Sequence, residues 1–326
     1  MLLSVSDAAT SAAPVRGRLP GFLTRLFLLG AKAHSAHHNH VPHSLEDIRR
    51  RFDRPCFPKR LSSLQVRRVI DIRVPGATEL RPARLYVPYG RVRGVVLFMH
   101  GGGYVHCGLN SHHGICCRLA RQSGAAVVSF DYRLAPENKF PAAVDDCWAA
   151  LQWVAAEAWR WGGKVAVAGD SAGGTLAAVL SQMSRGWKHP PLALQLLYYP
   201  SLYGERPVPS REVYANGYVL STRVMEWYAQ EYVRDPKDLC DPRLAPIFAS
   251  SLANLPPAVI ALAQCDPLHD EGTGYAAAME KAGSQACTRT WPGTVHGFLN
   301  FYSFLPGGKS AIHYGARKLR EAFARS

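Results

Sequence analysis

The sequence "KVAVAGDSAGGTLAAVL", residues 164–180, opens with small and β-branched residues and closes with Ala, Leu and Val. Between them stands Ser171, flanked by Gly169, Gly173 and Gly174. Residues 165–168 read as a short buried strand and residues 175–183 as a buried helix. A strand that runs straight into a helix must turn sharply. The residue at the apex is forced into a strained backbone conformation with its side chain exposed. Its neighbours two positions away must be tiny, or their Cβ atoms collide. Gly169-x-Ser171-x-Gly173 meets that demand, which is the demand of a nucleophile elbow. The helix N-terminus just beyond also favours negative charge. A Gly-rich turn with a capping serine carries the same letters, so the surrounding elements have to decide.

Outward from this stretch, apolar runs and helical patterns alternate. Strands are expected at 66–74, 83–88, 95–99, 125–132, 192–200, 257–266 and 285–291. Helices are expected at 142–159, 272–282 and 310–325. Such alternation implies βαβ units and an α/β fold with a mostly parallel central sheet flanked by helices. Active residues of such sheets lie beyond the carboxyl ends of the strands. Residues 202–250 break the rhythm. They are rich in Tyr, Pro, Arg and Asp, with a helix around 224–232, and read as a cap insertion. The expected division is an N-terminal segment with cap helices, 1–60, and a catalytic domain, 61–326.

The elbow can be tested by its partners. The strand 95–99 runs into "HGGGY", residues 100–104. Three glycines let backbone N–H groups approach a substrate closely. Gly101, Gly102 and Ala172, the residue after the serine, are the expected donors to a developing oxyanion. Losing one such donor costs about 3 kcal/mol in the transition state. His100 reads as packed rather than catalytic. An acid and a base should follow the serine in chain order. Asp266 stands directly after the apolar strand 257–265, and His296 lies in "TVHGF" after the strand ending near Trp291. His296 would take the proton of Ser171, and Asp266 would hold its tautomer and stabilise the imidazolium. Asp270, just before the helix at 272, reads as an N-cap. Tyr104, Tyr203 and Phe298 are expected to narrow the substrate pocket.

Taken together, "HGGGY", "DYRLAPENKFPAAVDD", "GDSAGG", "DPLHDEG" and "HGF" resemble the hormone-sensitive-lipase-like esterases of the α/β-hydrolase superfamily, its bacterial branch in particular. The resemblance covers roughly residues 65–325. It implies an α/β-hydrolase fold with a helical cap and a catalytic triad of Ser171, Asp266 and His296. It further implies no cofactor and a liking for short acyl esters, and gives the motif 131–137 a structural role before a helix. His269 stands where family members more often carry Arg, which leaves the orientation of the acid open. The first sixty residues lie outside the resemblance.

The bulk numbers narrow the field. The chain has 326 residues, 48% of them hydrophobic, and a formal net charge of +14. That length suits one large α/β domain. The charge favours anionic surfaces, yet the arginines are scattered and no nucleic-acid-binding module is present. Eight cysteines form no zinc-like C-x-x-C pairing; reduced thiols in a cytoplasm fit them. No stretch is long and apolar enough to span a bilayer. Residues 21–33, "GFLTRLFLLGAKA", resemble a signal peptide, but Arg25 interrupts the apolar run and Lys32 lies in the cleavage position. They read better as an amphipathic helix that packs on the domain or touches a membrane surface. His34, His37, His38, His40 and His43 follow without a carboxylate or thiol at ligand spacing, so no metal is expected.

The leading reading is a cofactor-free carboxylic ester hydrolase with a small-molecule ester as its partner. Peripheral membrane contact and a homodimer are kept open, and nucleic acid is not expected. An amidase or N-deacylase would use the same machinery. A binding protein on a hydrolase scaffold, like the plant gibberellin receptors, would lack the catalytic histidine that this chain has.

Overall fold

The computed structural model describes residues 19–37 and 44–325, residues 30–37 by their backbone alone. The chain begins with helices α1 (Phe22–His37), α2 (Leu45–Phe52) and α3 (Lys59–Ser63). It continues through β1 (Arg68–Pro75), β2 (Leu80–Val87), β3 (Val95–Met99), α4 (His113–Ser123) and β4 (Ala126–Phe130). Then come α5 (Ala142–Ala156), β5 (Val165–Asp170), α6 (Ala172–Met183) and β6 (Gln195–Tyr198). The remainder is α7 (Pro209–Val213), α8 (Thr222–Tyr232), β7 (Ala258–Cys265), α9 (His269–Lys281), β8 (Ala286–Val295) and α10 (Gly308–Ala324).

The strands form one eight-stranded sheet in the order β1-β2-β4-β3-β5-β6-β7-β8. From β4 to β8 every pairing is parallel, while β1 and β2 form an antiparallel hairpin at one edge. The central strands β3, β4 and β5 are buried along their whole length. A parallel strand covered on both faces needs an apolar run rather than alternation, and "VVLFM", "AVVSF" and "VAVAGD" supply it. The outer strand β1 is instead largely exposed and carries Arg68, Asp71 and Arg73, charges that keep an edge from pairing with another chain.

Two apolar layers sandwich the sheet, and the period of two along each strand assigns residues to them. Val95, Leu97 and Met99 join Val144 and Leu151 of α5 and Leu176 and Leu180 of α6. Val96 and Phe98 join Ile115 and Leu119 of α4 and Ile312, Leu319 and Phe323 of α10. Each such side chain fully withdrawn from water contributes roughly 1.5–3 kcal/mol. The sequence reading named no element over α4. Its "HGICCRLARQS" is buried on most of its surface, and its polar stripe is confined to Arg118, Arg121 and Gln122 in the second half, too short to mark a surface helix by pattern.

The segment expected as an insertion lies between β6 and β7 and contains α7 and α8. α8 starts at the N-cap Ser221, whose hydroxyl accepts from Val224 N. Its C-terminal carbonyls are met by Lys139, whose Nζ donates to Gln230 O at 2.9 Å and Val233 O at 3.0 Å, a favourable charge at that end of a helix. At the other side of the site α2 is pinned by Arg49. Its guanidinium donates to Val105 O at 2.9 Å, Ala135 O at 2.7 Å and the Glu137 carboxylate at 2.6–2.7 Å. Of the histidines at 34–43, His38, His40 and His43 fall outside the described residues.

Candidate active site

Ser171 sits between β5 and α6 with φ 53° and ψ −123°, a left-handed conformation that a side-chain-bearing residue adopts only under constraint. The constraint is visible on both sides. A Cβ on Gly169 would overlap the Gly173 carbonyl, and one on Gly173 would overlap the Met99 carbonyl. The apex is tied to the sheet by Ser171 N, which donates to Tyr198 O at 2.9 Å.

The turns after β5, β7 and β8 converge here. Ser171 Oγ lies 2.9 Å from His296 Nε2, and His296 Nδ1 lies 2.8 Å from Asp266 Oδ2. Asp266 is fully buried and its second oxygen accepts from Leu268 N at 2.9 Å. A carboxylate can only accept, so Nδ1 carries the proton and Nε2 is free to accept from the serine hydroxyl. The His296 ring packs against the Tyr199 ring at 4.9 Å. His269 does not touch the Asp266 carboxylate. Its ring nitrogens meet Asp270 Oδ1 at 3.0 Å and Thr290 Oγ1 at 3.2 Å.

Two expectations about the turns need correction. α9 begins at His269, with Leu268 as its cap residue, so Asp270 lies inside the first turn and does not cap it. Its Oδ2 accepts from Ser210 N at 2.9 Å and fastens α7 to α9. The second correction concerns the glycine loop. Gly101 N donates to Asp170 Oδ1 at 2.9 Å, so that amide is already satisfied and cannot also serve an oxyanion. Gly102 and Gly103, at φ 112° and 60°, occupy conformations open to glycine. Their amides, and that of Ala172 at the first position of α6, have no protein acceptor among the described residues. The residue missed was Gly103. The available signal was Asp170 itself, a carboxylate next to an elbow serine that must find donors once buried.

Asp170 is the hub beneath the loop. Besides Gly101 it meets His112 Nε2 at 2.9 Å, Tyr199 Oη at 3.3 Å and Asn300 Nδ2 at 3.5 Å. Burial pushes its pKa up, but the His112 imidazole and the Gly101 N–H outweigh this and hold the carboxyl below its ordinary range. His100 is packed, as its setting suggested. It is fully buried, stacks on Tyr132 at 4.4 Å, and its Nδ1 lies 2.7 Å from Gly101 O.

A cavity of about 480 Å³ opens over Ser171. Its walls include Gly103, Tyr104, Met225, Tyr228 and Tyr232, so α8 forms its roof. Tyr104 and Tyr232 stack at 3.8 Å, and Tyr228 Oη lies 2.6 Å from His106 Nε2. Tyr203 and Phe298, expected here, are absent from the lining. The Tyr203 hydroxyl leaves no room for a side chain at Gly274 on α9, and Phe298 is packed against Tyr199 and Trp291. Both are large apolar rings close in sequence to the site whose directions only the packing decides. Among the described residues no group of three or more His, Cys, Asp or Glu is placed to hold a metal ion.

A strand-turn-helix serine at the carboxyl edge of a parallel sheet, met by a histidine and an acid from later strands, defines a hydrolase of the α/β class. A model of the alpha/beta hydrolase fold family matches residues 96–300. Esterase LipI of Mycobacterium tuberculosis is 40% identical over 266 residues, 78% of this chain and 82% of that protein. The ethyl acetate hydrolase of Pseudomonas putida is 38% identical over 232 residues, 69% of this chain and 73% of its own. Among solved structures, a hyperthermophilic esterase from the archaeon Pyrobaculum calidifontis matches with TM-score 0.82 and 36% identity, covering 93% of this chain and 99% of that one. The chain belongs to the α/β-hydrolase family, in its hormone-sensitive-lipase-like branch, and is a carboxylic ester hydrolase. The alternative of a non-catalytic binding protein is thereby set aside.

Proposed function

We propose that Ser171, His296 and Asp266 hydrolyse esters of short acids through an acyl-enzyme. The carrying observation is the unbroken chain of contacts from Ser171 Oγ through His296 to Asp266, at 2.9 and 2.8 Å. Ser171 Oγ attacks the acyl carbon while its proton passes to His296 Nε2. The negative charge that develops on the carbonyl oxygen is met by the amides of Gly102, Gly103 and Ala172, and by the N-terminus of α6. Asp266 stabilises the imidazolium. His296 then returns the proton to the departing alkoxide, and the alcohol leaves. Water, deprotonated by the same imidazole, attacks the acyl-enzyme and releases the acid.

The preference for short acids rests on the stacked Tyr104–Tyr232 wall and on the similarity to an enzyme named for ethyl acetate. In this reading residues 1–60 are the N-terminal segment with cap helices, residues 61–326 are the catalytic domain, and the insertion at 202–250 supplies the roof. Peripheral membrane contact and a second copy stay in the reading as further partners. A cytoplasmic setting is supported by Cys116, Cys117 and Cys147, which are buried in the core as small apolar side chains. The test is a burst of nitrophenol from acetyl and butyryl nitrophenyl esters, absent in Ser171→Ala. Faster turnover of a sixteen-carbon than of a four-carbon ester would overturn the chain-length claim.

A further inference from the structure

Helix α1 holds the domain by one narrow face. Gly21 N and Thr24 Oγ1 both donate to Gly293 O, at 3.0 and 2.9 Å, and Phe27 packs on Phe301 with ring centroids 4.7 Å apart. The opposite face is apolar and open. Leu19, Phe22, Leu23, Leu26 and Leu29 are 49–70% exposed, and the spacing from 22 to 29 puts them on one stripe. A helix on the surface of a globular domain ordinarily turns polar residues outward; on this stripe only Arg25 does so.

The surroundings extend the patch. A groove of about 450 Å³ runs between the stripe and Asn216, Gly217 and Tyr218. Phe304, also strongly exposed, lies in the turn that begins at Phe301. Cys56, just before α3, reaches the same turn with Sγ 3.8 Å from Ser303 Oγ, and α3 with its C-cap exposes Leu61 and Leu64. Half of the sixteen exposed large apolar side chains among the described residues thus fall before residue 65. The same part of the chain holds the charge. Residues 1–68 contain twelve Lys and Arg against four Asp and Glu, which is eight of the fourteen net positive charges.

We propose that the outer face of α1, flanked by the 301–304 turn, docks the protein on bilayers rich in anionic phospholipid. Apolar side chains of this kind enter the boundary between headgroups and acyl chains, Arg25 on the stripe meets a phosphate, and the positive excess of residues 1–68 draws the chain to an anionic surface. Sign selects this occupant over a second copy of the chain, which would set like charges against each other. The groove also adjoins the catalytic cavity: Tyr218 lines the one and Leu220 the other. The docking claim stands apart from the ester chemistry, because vesicle binding is measured whether or not Ser171 is the nucleophile.

The experiment is co-sedimentation of the full chain with phosphatidylcholine vesicles, plain or containing about one-third phosphatidylglycerol, at rising salt. Binding is expected to be at least about tenfold stronger on the anionic vesicles and to weaken with salt. Leu23→Ser with Leu26→Ser should lower it about tenfold or more, and Arg25→Glu should remove the preference for anionic lipid. Both variants should keep the melting temperature and the turnover of a soluble four-carbon ester. Equal sedimentation with and without vesicles, or undiminished binding of the double variant, overturns the proposal. So does equal binding to plain and anionic vesicles. A dimer in sedimentation velocity that the double variant abolishes would give the stripe to a second copy instead.

Discussion

The amide of Gly101 donates to the carboxylate of Asp170 at 2.9 Å, across 69 residues of chain. That carboxylate also meets His112 at the start of α4, Tyr199 after β6 and Asn300 in the turn beyond His296. One buried anion therefore fixes both the loop that presents Gly102 and Gly103 and the turn that presents the histidine. Asp170→Asn keeps the shape and loses the charge. It should lower kcat by about 10–100-fold through misplaced donors while KM stays within about twofold. Steady-state kinetics on a butyryl ester check this; a loss carried by KM alone would make Asp170 a substrate-binding feature.

The same carboxylate predicts a pH dependence of stability. Its folded pKa lies below the ordinary value, and its unfolded pKa is near 3.9. Such a group contributes stability that is full above the unfolded pKa and is lost as pH falls through the folded one. The melting temperature should drop below about pH 4, and less steeply in Asp170→Asn. Identical slopes would place the acid sensitivity in other carboxylates.

Ser171→Ala should lower kcat on the order of 10⁶-fold without unfolding the chain. Its side chain faces the cavity, so little packing is lost, and Ala retains the turn as well as Ser does. Turnover near that of the parent, with contaminating esterase removed, would move the nucleophile elsewhere.

Asp266 and Asp270 stand one helical turn apart and should separate cleanly. Asp266→Asn presents the wrong tautomer of His296 and should lower kcat by about 10⁴-fold with the fold intact. Asp270→Ala loses the bond to Ser210 N and should cost about 1 kcal/mol of stability with little change in turnover. Measuring kcat and melting temperature of both assigns the acid. A dead, well-folded Asp270→Ala beside an active Asp266→Asn would reverse the roles.

Met225 hangs from α8 into the cavity. Met225→Ala should raise the ratio of eight-carbon to four-carbon kcat/KM by about tenfold, the scale at which apolar pockets weigh methylene groups. An unchanged ratio would show that the acyl chain points away from α8.

Much of this site could be read before the fold was seen, and the reason is steric. Gly169 and Gly173 are required by clashes with backbone atoms, so the spacing around Ser171 is a direct imprint of the turn. Asp266 follows the apolar strand β7 and His296 follows the more polar edge strand β8, and the ends of both must lie on one edge of a parallel sheet. The glycine loop was less legible, because three identical residues do not reveal which amide is taken by Asp170. Tyr203 and Phe298 were misplaced for a related reason. A bulky ring near a catalytic residue in sequence turns toward substrate or core according to the shape of its packing partners, such as Gly274 for one and Trp291 for the other, and that shape is set by the fold. α4 and α9 show the limits of pattern at helix level. Burial shortened the polar stripe of the first to Arg118, Arg121 and Gln122, and the tight turn after Asp266 moved the start of the second.

The order of the strands has a consequence for how the molecule is made. Ser171 and His296 are separated by 125 residues, and β8 lies at the sheet margin beside β7. A chain emerging from the ribosome thus displays the serine, the glycine loop and the acid well before the imidazole that couples them. The remaining helix, α10, must still close the face of the sheet built by Phe98, Ile115 and Leu119. With the proposed triad, a chain that ends before His296 is expected to be silent, and ester turnover then gauges completion of synthesis and folding more stringently than the presence of a compact, undegraded product.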